Sequence, residues 1–474
     1  MNGNTRGSTA PLADSVVLFS NSQGETARGT LVHITRTQVI FEVYNPYSIV
    51  QLSEVLQELR ISRRDRTIYQ GRAVVSNLVS TGLMLIVSAA LVDPWADLAG
   101  LETAEGIGEE TRRFLADWHR ETAITPSFQL AVSTLANFLA ELSRWLGGTE
   151  IQIAAGQENQ PRALQREFAE EVHGRVDETM RELFDRFENE ARAIPEETFQ
   201  VHKNFAQREL HPLTLVSPWM HRCFNKPFGY AGDYVMLNMV LDDHFQGPST
   251  YAQVLNASLL ATEPPQAYAN RIDMLLERLV DETLRVSSTS DRSLRVLSVG
   301  CGPCNEVNRL IREHPGLAQR CDFTLMDFNE QTIDFARERL AETCRDTGTS
   351  VTANFINKSI HELLHEARGR RESFSETFDF VYCAGLFDYL SDRVCASLTR
   401  LFYRWLEPGG LVIVTNVENS DPIVNVLEYL MEWYLIYRDQ TAMLKLCPGM
   451  GSQDVAVDET GINMFLQVRK AETA

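Results

Sequence analysis

The sequence predicts a multi-domain chain: a small N-terminal β-barrel, a helical middle region and a C-terminal α/β domain. Three observations carry this expectation. At 474 residues the chain exceeds what one core fills, at roughly 100–200 residues per domain. The hydrophobic period changes twice, from two-residue alternation to a stripe every three or four residues, and then to short apolar runs alternating with helical stretches. The apolar fraction of 44% and the charged fraction of 23% are those of a folded chain.

Residues 1–14 are small and polar and read as a flexible tail. Over 15–100, the runs VVLF, GTLVHI, TQVIFEVY, TIYQGRAVV and GLMLIVSAAL are separated by turn-forming NSQGE, NPYS and NLVSTG, which predicts the barrel. In TQVIFEV the apolar Val39, Phe41 and Val43 alternate with Gln38, Ile40 and Glu42, as in a half-buried strand. The pair GTLVHITRTQVIFEV resembles a PilZ domain, the bacterial module that often binds cyclic di-GMP. That family uses RxxxR and [DN]xSxxG. Here the second motif reads His33-Ile34-Thr35-Arg36-Thr37-Gln38, with no matching arginine pair upstream. The resemblance therefore implies a degenerate barrel that docks a partner or a second copy.

Asp93-Pro94-Trp95 marks a boundary, and 101–290 reads as helix with a substrate-lid or dimerisation role. The clearest helix runs from Leu164 to Ala191, where Leu164, Phe168, Val172, Val176, Met180, Leu183, Phe187 and Ala191 form one apolar stripe. It is either intramolecular core or a homodimer seam.

From 291 onward LRVLSV, FTLMD, VTANFI, FDFVYCA and LVIVTNV alternate with helical stretches, predicting a parallel sheet covered by helices. Segments 454–458 and 462–468, joined by Asp458-Glu459-Thr460-Gly461, predict a closing hairpin. Two motifs in this part are ambiguous. Cys301-Gly302-Pro303-Cys304 spells a redox dithiol but also a glycine-rich cofactor turn. A dithiol site needs a further proline some tens of residues on, whereas a cofactor turn needs an acid at the tip of the next strand. No proline lies between Pro315 and Pro408, and Asp327 ends FTLMD, so the cofactor turn is preferred. His361-Glu362-Leu363-Leu364-His365 matches HExxH, but Arg368 occupies the glycine position of the extended zinc motif. A solvated helix face is the expectation there, and no metal is assigned.

Residues 294–474 resemble a class I S-adenosylmethionine-dependent methyltransferase, with a Rossmann-like seven-stranded sheet whose last strand is inserted antiparallel. VLSVGCGPC, FTLMD, NFINKS, FDFVYCAGLFDYL and LEPGGLVIVTNV carry the resemblance, in that order. It implies that Gly300, Cys301 and Gly302 approach the methionine part of the cofactor and that Asp327 takes the ribose hydroxyls. Phe328, Asn357 and Lys358 would surround the adenine, and Cys383 and Ala384 would floor the site. The sequence departs from the pattern at Ser298 and Cys304, where an acid and a glycine are usual.

KPFGYAGDY, GCGP and EWYLIYR together resemble the bacterial extracellular-factor 3-hydroxypalmitic acid methyl ester biosynthesis family over about 200–474. This implies methyl transfer to a fatty-acid carboxylate, giving a quorum-sensing signal. A carboxylate of pKa about 4–5 is ionised at neutral pH, so alignment and desolvation matter more than a general base. The candidate substrate residues are Tyr230, Asp233, Asp388, Tyr389, Tyr434 and Arg438. Asp233 reads equally well as a helix N-cap. Trp433, Tyr434 and Tyr437, at helical spacing, are an acyl wall or plain core, with Arg438 pairing the carboxylate.

A net charge of −20 and the lack of [DN]PP[FY] argue against nucleic acid. No apolar run approaches the roughly 20 residues of a membrane span, and the N-terminus has no signal-peptide core. A cytoplasmic protein with its eight cysteines reduced is expected. The alternatives are another small-molecule methylation or cyclisation, and a regulatory protein that binds the cofactor without turnover.

Overall fold

The computed structural model describes residues 15–35, 37–44, 50–63, 66–80, 84–93, 124–156, 161–368, 377–418 and 424–472, with isolated positions 108, 111, 112, 115 and 374. The expected tail at 1–14, the NPYS turn and the start of the helical region at 101–123 lie largely or wholly outside them. The chain clusters as two compact units, Met1–Ala123 with Pro227–Ala231, and Ile124–Lys226 with Gly232–Ala474.

The first unit contains a closed barrel of β1 (Ser15–Ser20), β2 (Thr26–Ile34), β3 (Gln38–Tyr44), β4 (Val55–Arg63), β5 (Arg66–Ser80) and β6 (Met84–Leu91), in the order β1-β2-β3-β6-β5-β4. All neighbouring pairs are antiparallel. Val39, Phe41 and Val43 of β3 are buried, as the alternation requires. Later chain completes this unit: Gly229 accepts a hydrogen bond from Val55 N–H at 2.7 Å.

The second unit opens with seven helices: α1 (Pro126–Gly156), α2 (Pro161–Arg192), α3 (Glu196–Thr214), α4 (Pro218–Asn225), α5 (Tyr234–Leu241), α6 (Thr250–Leu260) and α7 (Glu263–Thr289). In α2, Val172, Met180, Phe187 and Ala191 are buried in the chain's own core and Phe168, Val176 and Leu183 pack against it, while the Leu164 side chain lies outside the described residues. The stripe is thus intramolecular core, the first of its two readings, and not a homodimer seam. Nor do these helices stand apart as a domain: Leu275, Leu276, Leu279 and Val286 of α7 share a core with the sheet behind them.

That sheet is seven-stranded, in the order β12-β13-β11-β10-β7-β8-β9. Its strands are β7 (Leu294–Val299), β8 (Cys321–Asp327), β9 (Thr352–Asn357), β10 (Phe378–Cys383), β11 (Leu406–Val417), β12 (Ser452–Val457) and β13 (Asn463–Arg469). β7 to β11 run parallel, and β13 is inserted antiparallel between β11 and β12. The crossovers include α8 (Asn305–Glu313), α9 (Glu330–Thr347), α10 (Ile360–Arg368) and α11 (Asp392–Trp405). After β11 comes α12 (Val424–Leu430), and there a second expectation fails. Residues 432–437 are irregular, not helical. Glu432 takes a left-handed φ of +49°, Trp433 N–H bonds back to Leu427, and Ile436 N–H donates to the Asp388 carbonyl.

Candidate active site

The site begins where parallel strands end side by side, Val299 level with Met326 and Asp327 level with Asn357. Beyond β7 the chain turns through Gly300 and Gly302, at left-handed φ of +69° and +53°. Within 4 Å, a Cβ on Gly300 would meet only Leu386 and one on Gly302 only Leu237, so the turn is bordered by two apolar side chains.

Asp327 ties this turn to the next strand. One carboxylate oxygen accepts Gly302 N–H at 3.1 Å and the other Asn329 N–H at 3.0 Å. Burial pushes its carboxyl up to about 6, with these backbone bonds pulling the other way. The Asn357 amide donates to the carbonyls of Asp327 and Phe328 at 3.2 and 2.8 Å, fixing the loop on which half-buried Phe328 stands. Lys358 N–H donates to the Asp327 carbonyl at 2.9 Å, and its ammonium pairs with Glu366 at 3.0 Å. Cys383 ends β10 fully buried, followed by half-buried Ala384.

The turn's cysteines are not poised as a redox pair. Both Cys301 and Cys304 are buried, and a hydrogen bond with Cys304 together with burial pushes the Cys301 thiol well above its ordinary value. In HELLH, Glu362 is engaged in a capping box: it accepts Ser359 N–H at 2.7 Å and donates its own N–H to the Ser359 hydroxyl at 3.2 Å.

Helix α5 packs by the glycine turn through Leu237, Asn238 and Tyr234. Asn238 meets Asn305 at 3.2 Å, and Tyr234 stacks on Phe335 with ring centroids 4.5 Å apart. Asp233 begins this helix as its N-cap, accepting from Val235 and Met236, and pairs with Arg222 at 2.8 Å. The capping role thus takes up the carboxylate expected to face the substrate. Tyr230 falls in the Pro227–Ala231 stretch of the barrel unit.

The remaining candidates divide. Tyr389 and Trp433 come together, the indole N–H donating to the Tyr389 hydroxyl at 2.9 Å, and both lie by Gly232. Asp388 is buried, its carboxylate accepting Val417 N–H at 2.7 Å while burial pushes the carboxyl up. The Tyr434 hydroxyl accepts from Lys203 at 3.1 Å, inside a buried group in which Lys203 also pairs with Glu432 at 2.8 Å. Burial works against both charges, but their mutual attraction prevails, so Lys203 shifts up and Glu432 down.

Arg438 corrects another expectation. It is buried, four of its N–H donors are hydrogen-bonded, to Asp392, the Phe387 and Leu390 carbonyls and Asn416, and its Nη2 also pairs with the Asp392 carboxylate at 2.8 Å. None is left for a substrate carboxylate.

Sequence reasoning passed over Arg271 in α7. It lies against Gly385, just beyond β10, where an added Cβ would stand 2.6 Å from its guanidinium. The available signal was a charge on an apolar helix face, since Tyr268, Arg271 and Leu275 are spaced three and four apart between buried neighbours.

The arrangement fits S-adenosylmethionine. An ionised carboxylate has about four acceptor sites; backbone N–H groups of Gly302 and Asn329 take two of those on Asp327 and Phe328 bears on it as well, leaving capacity for a ribose hydroxyl. The paired glycines let backbone approach the ligand between Leu237 and Leu386.

Residues 297–412 match the family model described as a methyltransferase domain. The protein is a methyltransferase, and its cofactor is S-adenosylmethionine. The chain is similar in part to solved methyltransferases. One is magnesium protoporphyrin IX methyltransferase from Synechocystis PCC 6803 with bound S-adenosylhomocysteine, at 10% identity over 44% of this chain and 88% of that one, TM-score 0.33. Another is the N-methyltransferase NodS from Bradyrhizobium japonicum WM9, also with S-adenosylhomocysteine, at 17% identity over 45% and 94%, TM-score 0.29. No curated protein matches the chain.

Proposed function

We propose that the protein transfers a methyl group to the carboxylate of a small apolar acid, such as a 3-hydroxy fatty acid, giving a methyl ester. The observation that carries this reading is the apolar and aromatic surround of the reaction end of the sheet. Leu237 and Leu386 border the glycine turn, and the hydrogen-bonded Tyr389–Trp433 pair lies by Gly232. Such walls suit an acyl chain.

S-adenosylmethionine, when bound, supplies an electrophilic methyl on a sulfonium. The chain's own groups hold and desolvate. Asp327 and the glycine turn bind the donor, Asn357 fixes the loop bearing Phe328, and Leu237, Leu386 and Trp433 exclude water from the acceptor carboxylate. An acceptor already ionised at neutral pH asks no proton removal of Asp233 or Asp388, consistent with their engagement in capping and backbone bonds.

In this reading the barrel is a degenerate PilZ-like module that docks a partner or a second copy, and the enzyme works in the cytoplasm. The test is incubation with S-adenosylmethionine and 3-hydroxypalmitate, followed by mass analysis. Methyl ester and S-adenosylhomocysteine in equal amounts are expected. Methylthioadenosine in place of S-adenosylhomocysteine, or no turnover with any carboxylic acid, would overturn the proposal.

A further inference from the structure

Arg271 stands out among the groups around the sheet's reaction end. It is half-buried, and among the described residues it makes no hydrogen bond or ion pair. Its guanidinium lies over the Tyr268 ring, 5.0 Å from the centroid. That ring is itself held, because the Tyr268 hydroxyl accepts from Asn305, the first residue of α8 after the glycine turn, at 3.2 Å. Gly385 also lies against the guanidinium. A methyl there would lie 2.6 Å from Nη1 and 3.1 Å from Cζ, so glycine makes the room this cation occupies. Gly385 follows the carboxyl end of β10, the edge at which α/β sheets bind ligands.

The contrast with Arg438 is chemical. Five donors in a planar fork, withdrawn in part from water, call for an acceptor. Arg438 finds all of its acceptors within the fold, whereas Arg271 is clamped by an aromatic face and a glycine with its hydrogen-bonding edge unmet. Its charge also reaches Glu306, Cys383, Asp388 and Tyr389, opposing the upward push that burial gives each. These residues all line the carboxyl edge of β7 and β10.

We propose that Arg271 is the carboxylate receptor of the reaction site, gripping its ligand through two parallel N–H bonds. Two ligands bring a carboxylate there: the methionine end of the donor, and the acid that accepts the methyl group. The second source rests on the function proposed above, and the first does not.

The test is calorimetry on the full-length protein and on Arg271→Gln and Arg271→Lys. The titrants are S-adenosylhomocysteine, then methylthioadenosine, which lacks the amino-acid end, then 3-hydroxypalmitate and its methyl ester with S-adenosylhomocysteine present. Unchanged unfolding temperatures would show that the variants fold. If the donor is the ligand, Arg271→Gln weakens S-adenosylhomocysteine by about 10- to 100-fold and leaves methylthioadenosine alone. If the acceptor is the ligand, the loss falls on the acid and spares its ester. Arg271→Lys, which keeps the charge but not the fork, should recover only part of either loss. S-adenosylhomocysteine and 3-hydroxypalmitate both bound within two-fold of wild type by Arg271→Gln would overturn the proposal. A wild type that takes S-adenosylhomocysteine but no 3-hydroxypalmitate would count against the acyl reading, and the S-adenosylhomocysteine result alone would then decide Arg271.

Discussion

At the scale of single residues, Asp327 and Arg438 show how differently one side chain can serve a site. Burial holds the Asp327 carboxyl near 6, above its unfolded value, so its ionised form destabilises the ligand-free fold above that pH, and the strain is relieved as pH falls toward 4. Asp327→Asn should therefore stabilise the ligand-free protein at pH 7–8 by up to about 3 kcal/mol, an advantage that fades below pH 6 in denaturant titrations. The same substitution should weaken S-adenosylhomocysteine at least tenfold by calorimetry. Wild-type affinity should itself fall as pH drops below 6, because a protonated carboxyl loses acceptor capacity toward the ribose hydroxyls. Arg438→Gln should behave in the opposite way. It strands the carbonyls of Phe387 and Leu390 and should cost about 3–5 kcal/mol of stability, while the surviving folded enzyme keeps its KM for the acceptor. Asp327 was legible from its place at the tip of a strand after a glycine turn. Arg438 was misread because an arginine near aromatic residues carries no mark of whether backbone carbonyls will claim its fork.

Among the elements, the sheet was readable and the segment after β11 was not. Alternating strands and helices at 294–417 are local signals, written in apolar period and turn residues. The hairpin of β12 and β13 was equally plain. Residues 432–437 have helical spacing, yet they are not helical, and Glu432 among them pairs with a residue more than two hundred positions away, the buried Lys203 of α3. No local pattern encodes that contact. If this pair holds the strap, Lys203→Met should cost about 3–5 kcal/mol by leaving a buried carboxylate without its cation. Adding Glu432→Gln should recover much of it. Circular dichroism and chemical denaturation of the single and double variants would check both statements, and a strictly additive double variant would deny the coupling. Because the strap carries Trp433 toward Tyr389, the single variant should also raise KM for the acceptor more than it lowers donor affinity.

For the whole molecule, two compact units predict two unfolding transitions in calorimetry. S-adenosylhomocysteine at 100 times its Kd should stabilise the unit bearing the glycine turn by about 2.7 kcal/mol and leave the other transition in place. A single cooperative peak that moves as one would show instead that the units unfold together. The division also bears on how the protein is made. Five residues of the barrel unit, Pro227–Ala231, arrive only after α1 to α4 have been synthesised, and one of them supplies the carbonyl that meets Val55 N–H. On the ribosome the six strands thus wait about 7–28 s, at usual rates of elongation, for their last piece. Domains are commonly expected to finish folding in the order in which they emerge, but here the first to appear is completed by chain born in the middle of the second.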